Sequence, residues 1–183
     1  MKKVVTLDPE RFGEACASLG RLVLGSGFEP DVVLGIESGG RYVAELMMPD
    51  TEHCYVALRR RGTKAKSGIA ASVLRRLPYA VSDALRRLES RIARAARRTP
   101  PEAYAGPLPA MLKDARRVLV VDDAVDSGAT MHAVCEAVRR FSPSADIRTA
   151  VVVRTLDNAI VTPDFCLYDN VLIRFPWSAD MKI

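Results

Sequence analysis

Apolar positions recur along the chain in two rhythms, and their alternation predicts its architecture. Behind Asp8-Pro9, an N-cap acid followed by proline at the first helical position, Phe12, Ala15, Cys16, Leu19, Leu22 and Val23 fall at helical spacing. Gly25 and Gly27 stop that pattern. Val32-Val33-Leu34-Gly35-Ile36 reads as a short buried strand, and Glu37-Ser38-Gly39-Gly40 as a tight turn into a helix from about Arg41 to Met48. His53 to Leu58 predicts another strand. An amphipathic helix follows from Ser82 to about Arg98, with Leu85, Leu88, Ile92 and Ala95 or Ala96 on one stripe. Arg86, Arg87, Arg91, Arg94, Arg97 and Arg98 cover its opposite side, and Thr99-Pro100-Pro101 ends it. Val118 to Val121 is a buried strand, Met131 to about Phe141 a helix with Val134, Cys135 and Val138 inward, and Ile147 to Val153 the next strand. Strands alternating with helices predict an α/β fold, a mainly parallel central sheet flanked by helices and joined by right-handed crossovers.

Composition narrows this picture. A chain of 183 residues suits one domain, 1–183, with a basic, largely helical insertion at about 62–113. No apolar run is long enough to span a bilayer, and the N-terminal Met-Lys-Lys-Val-Val-Thr lacks an apolar signal core, so a cytoplasmic location without membrane contact is expected. Cys16, Cys54, Cys135 and Cys166 are widely spaced among apolar neighbours, which predicts buried reduced thiols. With only His53 and His132 besides, a zinc site is not expected. The net charge of +5 is uneven: residues 59–117 carry +12 and the remainder −7. That asymmetry points to anionic partners, although a solvated basic face is the commoner meaning and no aromatic residues are interleaved for base stacking.

The chemistry concentrates in Val118 to Thr130. Four apolar residues lead into Asp122 and Asp123, then Ala124-Val125-Asp126-Ser127-Gly128-Ala129-Thr130 opens a helix. Backbone N–H groups of such a loop and of the first helical turn can hold a phosphate, with the Ser127 and Thr130 hydroxyls as further donors. Asp122 and Asp123 face polyhydroxyl or metal groups beside it. The turn at Glu37, Ser38, Gly39 and Gly40 has the same anion-receiving character, since paired glycines at the start of a helix let amides approach a ligand. Taken alone it is an ordinary turn; taken with the later loop it predicts a second cradle.

The stretch from Val118 to Thr130 resembles the phosphoribosyl-pyrophosphate motif of the type I phosphoribosyltransferases, and Gly-Ile-x-x-Gly-Gly resembles that family's pyrophosphate loop. The resemblance covers about residues 9–60 and 115–178, and is closest to purine (hypoxanthine, xanthine–guanine) members. It implies the type I fold with a small hood built from the chain's ends. It also implies that Asp122 and Asp123 hold the ribose hydroxyls and that Asp126 handles a proton of the base. Asp126, Ser127, Gly128, Ala129 and Thr130 would wrap the ribose phosphate. Glu37, Ser38, Gly39 and Gly40 would receive pyrophosphate. Arg154 matches the cation that donates to a carbonyl oxygen of the base. Leu172 stands where relatives often stack a tryptophan, and Ile173 where backbone atoms read the base edge. Arg174 stands where they carry an acid or an apolar residue. Arg59, Arg60 and Lys64 fall in the flexible loop that closes over the site in the family.

The implied reaction is transfer of a phosphoribosyl group from phosphoribosyl pyrophosphate to a nucleobase, a purine by resemblance, with release of pyrophosphate. The implied cofactor is Mg2+, held mainly by substrate with Asp122 and Asp123 as candidate protein ligands, and a homodimer is expected. The alternative is a regulator that keeps the phosphoribosyl-pyrophosphate pocket as a sensor and binds RNA or DNA through the arginine-rich insertion.

Overall fold

The computed structural model describes residues 2–58, 78–95 and 103–182, and the side chains of all of these except 89–95. In chain order the elements are β1 (Val4–Thr6), α1 (Pro9–Gly25), β2 (Val32–Glu37), α2 (Gly39–Met47), β3 (Glu52–Ala57) and α3 (Tyr79–Ala95). A 3-10 turn at Ala110–Lys113 leads to β4 (Arg117–Val125), α4 (Ala129–Phe141), β5 (Asp146–Arg154), β6 (Phe165–Asp169) and β7 (Leu172–Arg174). The Asp8 carboxylate accepts the Arg11 N–H at 2.9 Å and so caps α1, as the Asp-Pro pair predicts.

Five strands form a parallel sheet in the order β3-β2-β4-β5-β6. Both of its faces are covered, which is why its strands read as continuous apolar runs rather than alternating ones. Leu119 and Val121 of β4 join Leu19 of α1 and Val43 of α2 in one core, while Val118 and Val120 pack with Val134 and Val138 of α4 in the other. Burial pushes the thiols of Cys16 and Cys54 up to about 12 and that of Cys135 to about 11, consistent with inert core cysteines.

β4 runs further than the apolar run predicts. It continues through Asp122 and Asp123 because pairing with β5 persists to Val125↔Arg154, whereas pairing with β2 stops at Gly35↔Val121. The strand order also reverses between β2 and β4, and this is the position where open α/β sheets bind ligands.

A separate two-stranded parallel sheet pairs β1 with β7, in register Val4↔Leu172, Val5↔Ile173 and Thr6↔Arg174. This hood is tied to α3 through Arg174, which is only 2% exposed. Its Nε donates to Asp180 at 2.9 Å, Nη1 to the Thr6 hydroxyl at 2.7 Å, and Nη2 to the Ser82 hydroxyl at 3.1 Å and to Asp83. The guanidinium also lies 4.2 Å from the centre of the Tyr79 ring.

α3 is turned the opposite way from the amphipathic expectation. Leu85 and Leu88 are 41% and 53% exposed, while Arg86 and Arg87 point at the body. Arg86 donates to the Ile173 carbonyl at 3.0 Å and to Asp180, and Arg87 to the Lys2 carbonyl at 3.0 Å. Charge-assisted bonds to a buried carboxylate and to open strand-edge carbonyls outweigh burial of two leucines here. The rest of the predicted arginine face, Arg91 to Arg98, lies outside the described side chains.

Candidate active site

The two predicted cradles lie side by side across the β2–β4 boundary. Gly39 and Gly40 open α2 and are both buried. A Cβ at Gly39 would strike the whole Asp123 carboxyl group, with Oδ1 only 2.7 Å away. A Cβ at Gly40 would strike the Val121 carbonyl oxygen and lie 2.9 Å from Asp122 Cα. Only glycine lets the start of α2 come this close to β4, so the pair of glycines sets the spacing of the two loops. Glu37 and Ser38 are exposed at the rim, and the peptide joining them is cis.

The second cradle is a cavity of about 190 Å³ lined by Asp122 and Ala124 through Met131. Gly128 sits at the N-cap of α4 with φ of +79°, a left-handed conformation that a side chain would strain, and a Cβ there would lie 2.8 Å from the Val161 nitrogen. The loop is braced from behind by the Ile160 N–H, which donates to the Ser127 carbonyl at 2.8 Å. Ala129, Thr130 and Met131 form the first helical turn, whose amides have no acceptor within the helix, and they line the cavity. Phosphate-sized anions suit such a wall of donors at the positive end of a helix.

Asp122 is buried, 5% exposed, and one of its oxygens accepts the Asp123 N–H at 2.8 Å. Among the described residues no group of three or more His, Cys, Asp or Glu side chains comes together to hold a metal. The carboxylates of Asp122 and Asp126 line the cavity, and that of Asp123 stands beside it against Gly39. They fit a hard cation that keeps water and takes most of its ligands from phosphate oxygens, and not an ion needing an all-protein cage.

Asp126 is exposed and lines the same cavity. Its Oδ1 accepts the hydroxyl of Thr155, whose own N–H donates to the Val125 carbonyl at 2.8 Å. Arg154, one residue earlier, makes a two-pronged pair with Asp169: Nε at 2.8 Å and Nη2 at 2.7 Å. The hydrogen bond from Arg154 holds the Asp169 carboxyl below its ordinary range and raises the guanidinium in turn. Sequence reasoning named neither Thr155 nor Asp169. Thr155 carries only the weak signal of a hydroxyl directly after a strand-end cation. Asp169 becomes visible once β5 and β6 are aligned, because the register sets it opposite Arg154.

In the hood, Leu172 and Ile173 are buried, 6% and 4% exposed, and the Ile173 carbonyl is already engaged by Arg86. Arg174 points into the hood–α3 junction, so its departure from the family pattern serves packing there. Arg59, Arg60 and Lys64 lie outside the described residues.

The family model of the phosphoribosyl transferase domain matches residues 7–179. Solved structures agree in fold. A purine phosphoribosyltransferase from Pyrococcus horikoshii Ot3 is 21% identical, with 96% of this chain and 94% of that chain covered at a TM-score of 0.63. The xanthine-guanine-hypoxanthine phosphoribosyltransferase of Helicobacter pylori is 18% identical, with 97% and 95% covered at 0.67. A Neisseria gonorrhoeae protein determined with bound ppGpp is 17% identical, with 97% and 90% covered at 0.61. No match was found among curated proteins.

Proposed function

Because the chain belongs to the phosphoribosyltransferase family, we propose that it transfers a phosphoribosyl group from phosphoribosyl pyrophosphate to a purine base, with magnesium, releasing pyrophosphate. The observation that carries this reading is the close approach of Gly39 to the Asp123 carboxyl group across the β2–β4 boundary, which leaves no room for a Cβ. This close approach supports reading the turn at Ser38 to Gly40, the two acids and the cavity at Asp126 to Met131 as parts of one site.

The chain's residues divide the work. The Ser127–Thr130 loop and the first turn of α4 hold the 5-phosphate and fix the ribose in place. Asp122 and Asp123 accept from the ribose hydroxyls, which orients C1 toward the base. The amides of Ser38 to Gly40 receive the pyrophosphate as the carbon–oxygen bond loosens and negative charge gathers on the leaving oxygen. Asp122 or Asp123, together with substrate oxygens, would hold magnesium, which would supply charge neutralisation on that leaving group. Asp126 takes the proton from the base while the base nitrogen attacks C1. Arg154, steadied by Asp169, donates to a carbonyl of the base. The same reading has the chain as one domain with a basic insertion, working as a homodimer in the cytoplasm.

The test is a screen of purines and pyrimidines with phosphoribosyl pyrophosphate and magnesium, following pyrophosphate release, with a chelator as control. Base-dependent release with a purine, abolished by the chelator, is expected. Tight phosphoribosyl-pyrophosphate binding with no release for any base would overturn the transfer reading. Among the described residues, Arg86 and Arg87 are turned inward, so nothing there favours a nucleic-acid surface over transfer.

A further inference from the structure

An exposed carboxylate that must meet a base proton in one orientation needs something to hold it, because a free Asp side chain samples several rotamers. Asp126 is such a carboxylate. Thr155 is the residue that reaches it: 7% exposed, just past the end of β5, with its hydroxyl on Asp126 Oδ1. Thr155 is itself fixed from two other sides. Its N–H donates to the Val125 carbonyl at 2.8 Å, and its carbonyl oxygen accepts from Lys2 Nζ. The Lys2 contact ties the residue to the segment leading into hood strand β1, so Thr155 stands where the sheet, the catalytic loop and the hood meet.

We propose that Thr155 is a positioning residue for the transfer step, holding Asp126 so that its second oxygen, Oδ2, faces the base. This rests on the reading that Asp126 takes the base proton. In the step itself the proton moves from the base nitrogen to Oδ2. The freed electron pair on that nitrogen forms the bond to C1, and the C1–oxygen bond electrons leave with pyrophosphate. Thr155 keeps its own proton throughout.

The test is a double-mutant cycle with Thr155→Val, which keeps shape and removes the donor, Thr155→Ser, which restores it, and Asp126→Asn. Turnover with hypoxanthine, KM for phosphoribosyl pyrophosphate and thermal midpoint are read for each. One hydrogen bond to a charged group predicts a loss of about tenfold or more in kcat for Thr155→Val, with KM for phosphoribosyl pyrophosphate unchanged. Thr155→Ser should recover most of that loss, and Thr155→Val should cost nothing further in the Asp126→Asn background. A normal kcat in Thr155→Val, a Ser variant no better than Val, or an equal loss on top of Asp126→Asn would each overturn the proposal. If Asp126→Asn is itself as fast as the wild type, the reading of Asp126 falls and this proposal with it. A slow Asp126→Asn beside a normal Thr155→Val sinks the proposal alone. Should no base turn over, the transfer reading falls and this proposal with it.

Discussion

Gly39→Ala tests how tightly the two loops depend on each other. The added methyl would meet the Asp123 carboxyl group, with Oδ1 at 2.7 Å and the other two carboxyl atoms closer. Carbon and oxygen atoms rest at roughly 3.5 Å, so the carboxylate, the α2 turn or both must shift by about 1 Å. Asp123 is a side chain at a half-exposed position, so the fold can absorb this movement at a cost of about 1–2 kcal/mol. The site cannot absorb it as easily, because a displacement of about 1 Å among positioning groups can slow a reaction about a hundredfold. The expected result is therefore a near-normal melting profile with kcat/KM for phosphoribosyl pyrophosphate reduced about a hundredfold. The assay is steady-state pyrophosphate release at saturating purine, paired with a thermal melt. A Gly39→Ala protein turning over within about threefold of the wild type would refute the reasoning, since Asp123 and the turn would then be acting independently.

Three further outcomes follow from the hood and the base side. Arg174→Ala strips a nearly inaccessible guanidinium from Asp180 and Asp83, and should destabilise the protein by about 3–5 kcal/mol in chemical denaturation. Burial alone would raise the Asp180 carboxyl, but the Arg174 hydrogen bond and the charges of Arg86 and Arg174 hold it below its ordinary 3.8. A depressed folded value means that its contribution to stability is complete above that ordinary value and drains away as pH falls through the folded one; melts from pH 6 to pH 3 should show the loss, and Asp180→Asn should flatten it. Asp169→Asn frees Arg154 at a partly exposed pair, so stability should change by less than about 1 kcal/mol. In the same variant KM for the base should rise severalfold while KM for phosphoribosyl pyrophosphate stays fixed, which steady-state kinetics in each substrate will check.

Much of the sheet was legible because its strands are buried on both faces and so announce themselves as apolar runs, as Val32 to Ile36 and Val118 to Val121 do. Helix α1 was legible at both ends from Asp8-Pro9 and the glycines after Leu24. The local chemistry of the loop from Asp122 to Thr130 could be read because every residue in it is contiguous. Pairings between distant segments could not. β1 and β7 are three residues each and meet across nearly the whole chain, so neither carries a signal until the other is placed. Arg174 looked like an altered base contact because its four partners come from β1, α3 and the C-terminal segment. The orientation of α3 was misjudged for the same reason. Periodicity locates an apolar stripe, but the acceptors that drew Arg86 inward belong to Asp180 and Ile173.

The most direct measurement is a crystal structure of the protein with phosphoribosyl pyrophosphate and magnesium bound. The account predicts one molecule spanning both loops, its 5-phosphate on the amides of Ser127 to Thr130 and its pyrophosphate on those of Ser38 to Gly40. A ligand seated on one loop only, or bound away from the β2–β4 boundary, would contradict it.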